Sequence, residues 1–188
     1  MDYNAIILSG LPGSGKTTLI ESLMKLYSWP KYSIGEMYRE KWREKHPDGK
    51  VSFEEYWRGV SKEENAEVNR AAKEIFVKGN VIGDTRYSIY CKEHKNNLLV
   101  FVTAGLQTRA ERALKDNDKY KGKSVDDVRR ILVQREYDEM SVGNDLFRYD
   151  YRDSSNYHIT LNSGMLSVED EVYLITRMVL PISLKNMK

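Results

Sequence analysis

The chain contains a single cysteine, Cys91, among its 188 residues. One thiol can form neither an internal disulfide nor a multi-cysteine metal centre, which agrees with a reducing compartment. Long hydrophobic runs are also missing: the longest is the five residues Leu98–Val102, whereas a membrane-spanning helix needs about 20. The chain begins Met1-Asp2-Tyr3-Asn4 and has no basic segment ahead of an apolar one. We therefore expect a cytoplasmic protein without a membrane partner.

The chain also has no large excess of positive or negative residues. The 30 lysines and arginines nearly balance the 28 aspartates and glutamates, for a net charge of +2. This is too small for the broad positive field of a dedicated nucleic-acid-binding protein, so no nucleic-acid partner is expected. The 40% of hydrophobic residues are enough for a core. The length predicts one domain spanning residues 1–188, and we expect a monomer.

Short apolar runs alternate with helical patterns along the chain. Strands are predicted at Tyr3–Ser9, Tyr32–Ile34, Asn80–Asp84, Leu98–Thr103 and Tyr157–Leu161. Helices are predicted at 15–27, 36–45, 107–115, 124–140 and 167–180, and after two capping-box patterns, Ser52 with Glu55 and Ser61 with Glu64. Alternating strands and helices predict an α/β fold: a parallel sheet of about five strands with helices on both faces.

Two stretches do not fit this simple alternation. Residues 36–78 read as helical throughout and are interpreted as a helical insert between strands. Residues from about 116 to 152 are rich in arginine and are interpreted as a mobile lid. Seven arginines lie between Arg109 and Arg152, where solvated helix faces and phosphate contacts are both reasonable interpretations.

The strongest motif follows the first predicted strand and precedes the first predicted helix. It is a full match to the Walker A pattern and reads Gly10-Leu11-Pro12-Gly13-Ser14-Gly15-Lys16-Thr17-Thr18. Its glycines permit a loop whose amide groups converge on phosphate oxygens at the positive end of a helix dipole. We expect Lys16 to reach the β- and γ-phosphates of ATP, Thr17 to bind Mg²⁺ directly and Thr18 to approach the α-phosphate. The fold class is thus a three-layer sandwich of the P-loop NTPase type.

Several functions of nucleotide sites are excluded by missing motifs. The chain has neither the Asp-x-x-Gly loop nor the Asn-Lys-x-Asp guanine reader of GTPase switches, and it lacks the LSGGQ-type signature of transporter ATPases. It has instead an arginine-rich segment far from the Walker A motif in sequence. Transfer of a phosphoryl group between two anions needs such cations for alignment and charge neutralisation, and an ionised phosphate acceptor needs no general base.

Over nearly its whole length the sequence resembles the nucleoside monophosphate kinases, most of all the archaeal type of cytidylate kinase. Three local matches beyond the Walker A motif carry the resemblance. They are Ser33-Ile34-Gly35-Glu36-Met37-Tyr38-Arg39, Gly83-Asp84-Thr85-Arg86, and the pair formed by Thr108-Arg109-Ala110-Glu111-Arg112 and Arg135-Glu136. The lid departs from the family where Asp138–Gly143 stands in place of a further basic residue and a tyrosine.

The resemblance implies roles for individual residues. Ser33, Gly35, Arg39, Asp84 and Arg86 would bind the acceptor nucleotide, with Arg39 on its phosphate. Asp84 would also contact Mg²⁺ through water. Arg109 and Arg135 would act at the ATP site and in the lid, so that the implied catalytic set is Lys16, Arg86, Arg109 and Arg135.

The function implied is transfer of the γ-phosphoryl group of ATP, with Mg²⁺, to a nucleoside monophosphate such as CMP or dCMP. Two alternatives stay open at this point. One is a kinase for another nucleotide or small phosphorylated acceptor, and the other is a regulatory module that binds ATP without catalysis.

Overall fold

The computed structural model describes residues 3–86, 88–92, 94–116 and 118–179. The ends of the predicted domain, residues 1–2 and 180–188, lie outside the described residues, as does Leu180, the last residue of the predicted final helix. Five strands form one sheet: β1 (Ala5–Gly10), β2 (Lys31–Ser33), β3 (Val81–Asp84), β4 (Asn97–Thr103) and β5 (Ile159–Asn162). Their order is β2-β3-β1-β4-β5, and every neighbouring pair is parallel. The predicted parallel α/β sheet is confirmed.

Seven α-helices among the described residues connect and cover the strands. They are α1 (Lys16–Tyr27), α2 (Ile34–Lys45), α3 (Phe53–Arg58), α4 (Lys62–Lys78), α5 (Leu106–Asp116), α6 (Val125–Phe147) and α7 (Val168–Val179). None of these helices, within the part of the chain that the structure describes, combines the length and apolar character needed to cross a membrane.

The central strand β1 shows how one sheet serves two cores. All six of its residues are buried, because successive side chains of a strand point to opposite faces and both faces are covered by helices. Ile6 and Leu8 belong to the core formed with α1 and α7. Ala5 and Ile7 belong to the core formed with α2 and α4. This two-sided burial explains why the strand is a continuous apolar run in the sequence.

The predicted insert, residues 36–78, contains α3, α4 and all of α2 except its first two residues. Ile34, predicted as the end of a strand, is instead the first residue of α2. Ser52 and Glu55 form the complete predicted capping box at the start of α3. At the start of α4 only half of the predicted box is present: the Ser61 hydroxyl accepts from the Glu64 amide, while the Glu64 carboxylate accepts from Lys45, 2.6 Å away, and from the Tyr56 hydroxyl. The Glu64 side chain, which the sequence pattern predicts to cap α4, therefore binds residues from other parts of the insert instead.

The insert is not separate from the rest of the domain. Val68, Ala72 and Phe76 of α4 lie in the same core cluster as β1 and β3. Its aromatic residues pack on one another: Tyr38 and Trp57 meet edge to face with ring centroids 4.6 Å apart, and Tyr38 donates to the Asn65 side chain at 2.6 Å. The third helix of the insert is thus also the helix that covers one face of the sheet.

Candidate active site

The Walker A residues 10–18 form the turn between β1 and α1, at the carboxyl edge of the sheet. Gly10 has φ +145°, and a Cβ there would lie 2.1 Å from the carbonyl oxygen of Val102 on β4, so a side chain is sterically excluded. Gly13 and Gly15 also have positive φ, +75° and +87°. The Leu11 amide donates to the same Val102 carbonyl at 3.1 Å. These contacts give the loop its tight path.

The loop leads directly into the N-terminus of α1. Gly15 is the N-cap residue and has no side chain with which to cap the first amide groups, so these groups can donate to an anion at the positive end of the helix dipole. Thr17 and Thr18 are exposed on the first turn. The amide groups at the start of α1 and the two hydroxyls are therefore accessible to a ligand; the contacts of Thr17 with Mg²⁺ and of Thr18 with the α-phosphate stay predictions.

Lys16 turns back over this loop. Its Nζ donates to the carbonyl oxygens of Gly10, at 3.0 Å, and Leu11, at 3.3 Å. Burial lowers the pKa of Lys16 well below its usual value, the positive charge of Arg86 lowers it further, and Asp84 opposes the change. The positive charges of Lys16 and Arg86 thus lie close together, and the negative charge of Asp84 offsets them only in part. Such a site favours a ligand with several negative charges.

The carboxyl ends of β2 and β3 supply the next predicted residues. Ser33 is paired in register with Asp84, and its hydroxyl donates to Asp84 Oδ2 at 3.3 Å. The Nζ of Lys31 lies 4.0 Å from the same carboxylate oxygen. Parallel strands end at one edge of a sheet, and this brings two residues 51 positions apart together.

The predicted acceptor-phosphate residue Arg39 lies on α2, one turn after Gly35. Its Nη1 is 3.5 Å from Glu36 Oε2, and its guanidinium is 5.2 Å from the centre of the Phe53 ring. The side chain is 41% exposed, which is consistent with an arginine that a ligand can reach. Its contact with an acceptor phosphate stays a prediction.

Arg86 and Arg135 come from distant elements and meet at one carboxylate. Arg86, just beyond β3, donates from Nη1 to the Gly10 carbonyl at 2.5 Å, and its Nε lies 2.7 Å from Glu139 Oε2. Arg135, on α6, donates from Nε to Glu139 Oε1 at 2.9 Å. Both arginines also influence the pKa of Lys16. The structure therefore brings together three of the four residues predicted to be catalytic.

The fourth, Arg109, has a different environment. It is only 4% exposed, and it donates from Nε to the Ala104 carbonyl at 2.8 Å and from Nη1 to the Pro12 carbonyl at 3.1 Å. The same Nη1 lies 2.5 Å from Glu136 Oε1 on α6. Arg109 thus links the Walker A loop, through Pro12, to α6 of the predicted lid, through Glu136. Its contact with ATP stays a prediction.

A second arginine on α5 braces the loop after β5. Arg112 donates from Nη1 and Nη2 to the hydroxyl and carbonyl of Ser163, both at 2.8 Å. The Ser163 hydroxyl in turn donates to the Ser14 carbonyl at 2.7 Å. The sequence analysis did not assign Ser163 or Glu139 to the site. The sequence does contain a signal for Glu139, because this residue follows Arg135 by four positions, the spacing of ion pairs within a helix. No comparable spacing indicates the contacts of Ser163.

Glu171, on α7, is a buried acid near Arg112. It is 2% exposed, its Oε1 has no hydrogen-bond partner among the described residues, and burial raises its pKa to about 7 although Arg112 acts in the opposite direction. The folded state therefore favours the protonated acid, and the wild-type free energy of unfolding should fall as the pH rises from 4.5, the ordinary pKa, to about 7.

We expect Glu171→Gln to remove this fall in the free energy of unfolding between pH 4.5 and about 7. At pH 8 the variant should be more stable than the wild type by about 1–3 kcal/mol, because only the wild type must then bury a charged carboxylate, and the two should converge towards pH 4.5. Urea unfolding at a series of pH values measures the difference. Glu169→Gln, at an exposed position of the same helix, is the control, and a constant difference between Glu171→Gln and wild type would contradict the interpretation.

Comparison with known proteins identifies the family. The sequence profile described as "AAA domain" matches residues 9–132, from the Walker A loop into α6, which is more than half of the chain. The chain belongs to the AAA domain family.

Relatives of this AAA-family chain extend the match to nearly its full length. Cytidylate kinase of Methanopyrus kandleri is 28% identical over 183 residues, covering 92% of this chain and 90% of that protein. Cytidylate kinase of Pyrobaculum aerophilum is 27% identical over 172 residues, covering 89% of this chain and 88% of that protein. The resemblance to the archaeal cytidylate kinases is thereby confirmed.

Solved structures support the fold. An uncharacterized protein from Eubacterium ventriosum superposes with a TM-score of 0.68 at 16% identity, covering 93% of this chain and 97% of the other. Shikimate kinase from Bacteroides thetaiotaomicron superposes with a TM-score of 0.60 at 16% identity, with the same two coverages. These likenesses confirm the P-loop fold class.

Proposed function

We propose that the chain transfers the γ-phosphoryl group of ATP to a nucleoside monophosphate, CMP or dCMP, to give the diphosphate. The observation that carries this proposal is the gathering of Lys16, Arg86 and Arg135 beside the Walker A loop. Three cations from three elements suit a reaction in which two phosphates must approach each other. The many relatives named cytidylate kinase support the choice of acceptor.

Each step of the reaction has a candidate group in this chain. The Walker A amides and Lys16 would hold the β- and γ-phosphates, and Arg39 would hold the acceptor phosphate. An ionised oxygen of that phosphate attacks the γ-phosphorus while the bond to the bridging oxygen breaks and ADP leaves. Because this oxygen is already deprotonated, no general base is needed, and Arg86 and Arg135 would neutralise the charge on the moving group.

The residues present fit a Mg²⁺ ion. Mg²⁺ prefers oxygen ligands and in kinases is held by one or two side chains together with substrate phosphates. The exposed Thr17 hydroxyl would bind it directly and Asp84 through water. No cluster of three or more histidine, cysteine or acidic ligands occurs among the described residues. When bound, it would offset charge on the β- and γ-phosphates.

The function is tested by measuring ADP formation with ATP, Mg²⁺ and a panel of acceptors. The panel contains ribo- and deoxynucleoside monophosphates of every base, together with small phosphorylated metabolites. Turnover is expected with CMP or dCMP. Turnover only with a different acceptor would make the chain a kinase for that compound, and ATP binding without turnover would support a regulatory module.

Arg39→Ala is expected to weaken binding of the acceptor nucleotide and to leave binding of ATP nearly unchanged. Loss of a charge-assisted phosphate contact, worth about 1.5–3 kcal/mol, should raise the KM for the monophosphate roughly 10- to 150-fold and leave the KM for ATP nearly unchanged. The matched control is Arg43→Ala, one turn along α2, since Arg43 also pairs with Glu36. A rise in the KM for ATP alone would show that the two nucleotide sites are assigned the wrong way round.

A further inference from the structure

Glu139 lies where the predicted lid meets the catalytic end of the sheet. Its two carboxylate oxygens contact two arginines from different elements: Oε2 lies 2.7 Å from Arg86 Nε, and Oε1 accepts from Arg135 Nε at 2.9 Å. The Tyr151 hydroxyl donates to Oε2 at 3.3 Å. The Glu139 side chain is only 13% exposed, so this carboxylate belongs to the interior of the site.

The carboxylate is ionised in this position. Burial by itself would raise the pKa of Glu139, but Arg86 and Arg135 outweigh it, and the pKa lies below its ordinary value. A buried charge of this kind is stable only when it is paired and hydrogen-bonded. Removing its charge would therefore change how both arginines are held.

The contacts use the Nε edge of each guanidinium. An arginine has five N–H donors, and the terminal nitrogens can still bind a second anion when Nε is occupied. Arg135 has no recorded hydrogen bond from its terminal nitrogens to any residue that the structure describes, and Arg86 directs Nη1 to the Gly10 carbonyl of the Walker A loop. Glu139 thus orients the two side chains without consuming their capacity to bind phosphate.

We propose that Glu139 is a positioning residue for phosphoryl transfer, setting the orientation of Arg86 and Arg135 relative to each other. This inference rests on the proposed function. Arg86 follows strand β3, whereas Arg135 belongs to α6 of the predicted lid, so the distance between the two arginines depends on the position of the lid. One carboxylate shared between them links the closure of the lid to the placement of both cations.

Glu139→Gln tests the inference by separating kcat from binding. Displacement of a reacting group by about 1 Å can cost roughly 100-fold in rate, and we expect kcat to fall between about 10- and 100-fold. The Kd for ATP without acceptor, measured by calorimetry, should change less than about threefold, because the Walker A loop makes those contacts. Asp138→Asn is the matched control: it removes the same charge from the adjacent position, where the side chain is 47% exposed, and kcat should be that of the wild type.

A double-mutant cycle distinguishes positioning from a general structural effect. If Glu139 acts through Arg135, then adding Glu139→Gln to Arg135→Ala should lower kcat much less than Glu139→Gln lowers it in the wild type. A full additional loss in the Arg135→Ala background would overturn the proposal, as would a wild-type kcat in Glu139→Gln. Thermal unfolding of each variant shows whether a change in kcat accompanies a change in stability.

Glu139→Asp covers the case in which the glutamine variant does not fold. Aspartate keeps the charge but is one methylene shorter, so it cannot span both arginines in the same geometry, and kcat should again fall. Recovery of the wild-type kcat would show that charge alone matters and would overturn the positioning role. If the wild type itself transfers no phosphoryl group, the proposed function fails; if the wild type is active and all Glu139 variants match it, only this inference fails.

Discussion

Replacing Lys16 with alanine is expected to lower kcat by about 100-fold or more and to leave the fold intact. The magnitude is that of removing one preorganised donor from a site where negative charge develops. The fold should survive because Lys16 Nζ donates to two backbone carbonyl oxygens, those of Gly10 and Leu11, and Lys16 is not a member of a hydrophobic core cluster. Steady-state assays with the preferred acceptor, together with circular dichroism, measure both quantities.

The control for this experiment lies on the same helix. Lys25 is exposed in the last turn of α1, and Lys25→Ala removes one positive charge without touching the Walker A loop, so its kcat should equal that of the wild type. A Lys16→Ala variant with normal turnover would contradict the proposed mechanism. Loss of structure in Lys16→Ala would instead assign the residue a role in folding.

Arg109→Ala is expected to produce the largest loss of stability. Breaking a buried ion pair by removing one partner costs about 3–5 kcal/mol, because the remaining charge is left without compensation. Here the remaining charge is Glu136, whose side chain is 17% exposed, so we expect a loss near the lower end, about 3 kcal/mol. The carbonyls of Pro12 and Ala104 lose a donor as well, and the displaced loop should lower kcat. Urea unfolding and steady-state kinetics measure the two effects.

Two further variants identify the cause of that loss. Arg129→Ala removes a surface arginine paired with Asp126, and such pairs contribute about 0–1 kcal/mol. Adding Glu136→Gln to Arg109→Ala should recover part of the lost stability, since it removes the uncompensated charge. If Arg109→Ala unfolds at the same urea concentration as the wild type, the buried pair does not support the loop.

The arginines of the site illustrate what a sequence can and cannot predict. The local matches to the nucleoside monophosphate kinases made Arg39, Arg86, Arg109 and Arg135 candidates for phosphate binding. Nothing local distinguishes Arg109, which is buried under the loop, from Arg135, which is 47% exposed. The difference arises because Arg109, on α5, points towards the Walker A loop and contacts Pro12 of that loop and Glu136 of α6, and only the packing of α5 against the loop and α6 decides this.

The sequence by itself determined the parallel α/β sheet, the Walker A loop and the start of α1, since these depend on apolar runs, on glycines that tolerate positive φ, and on short-range order along the chain. The tertiary structure alone decided which distant residues charged side chains pair with. Glu139 meets Arg86 across 53 positions of sequence, and Glu64 leaves its predicted cap for Lys45 and Tyr56. The physical reason is that an ion pair depends on distance in space and on burial, and a pattern of neighbouring residues carries no information about either once the chain has folded back on itself.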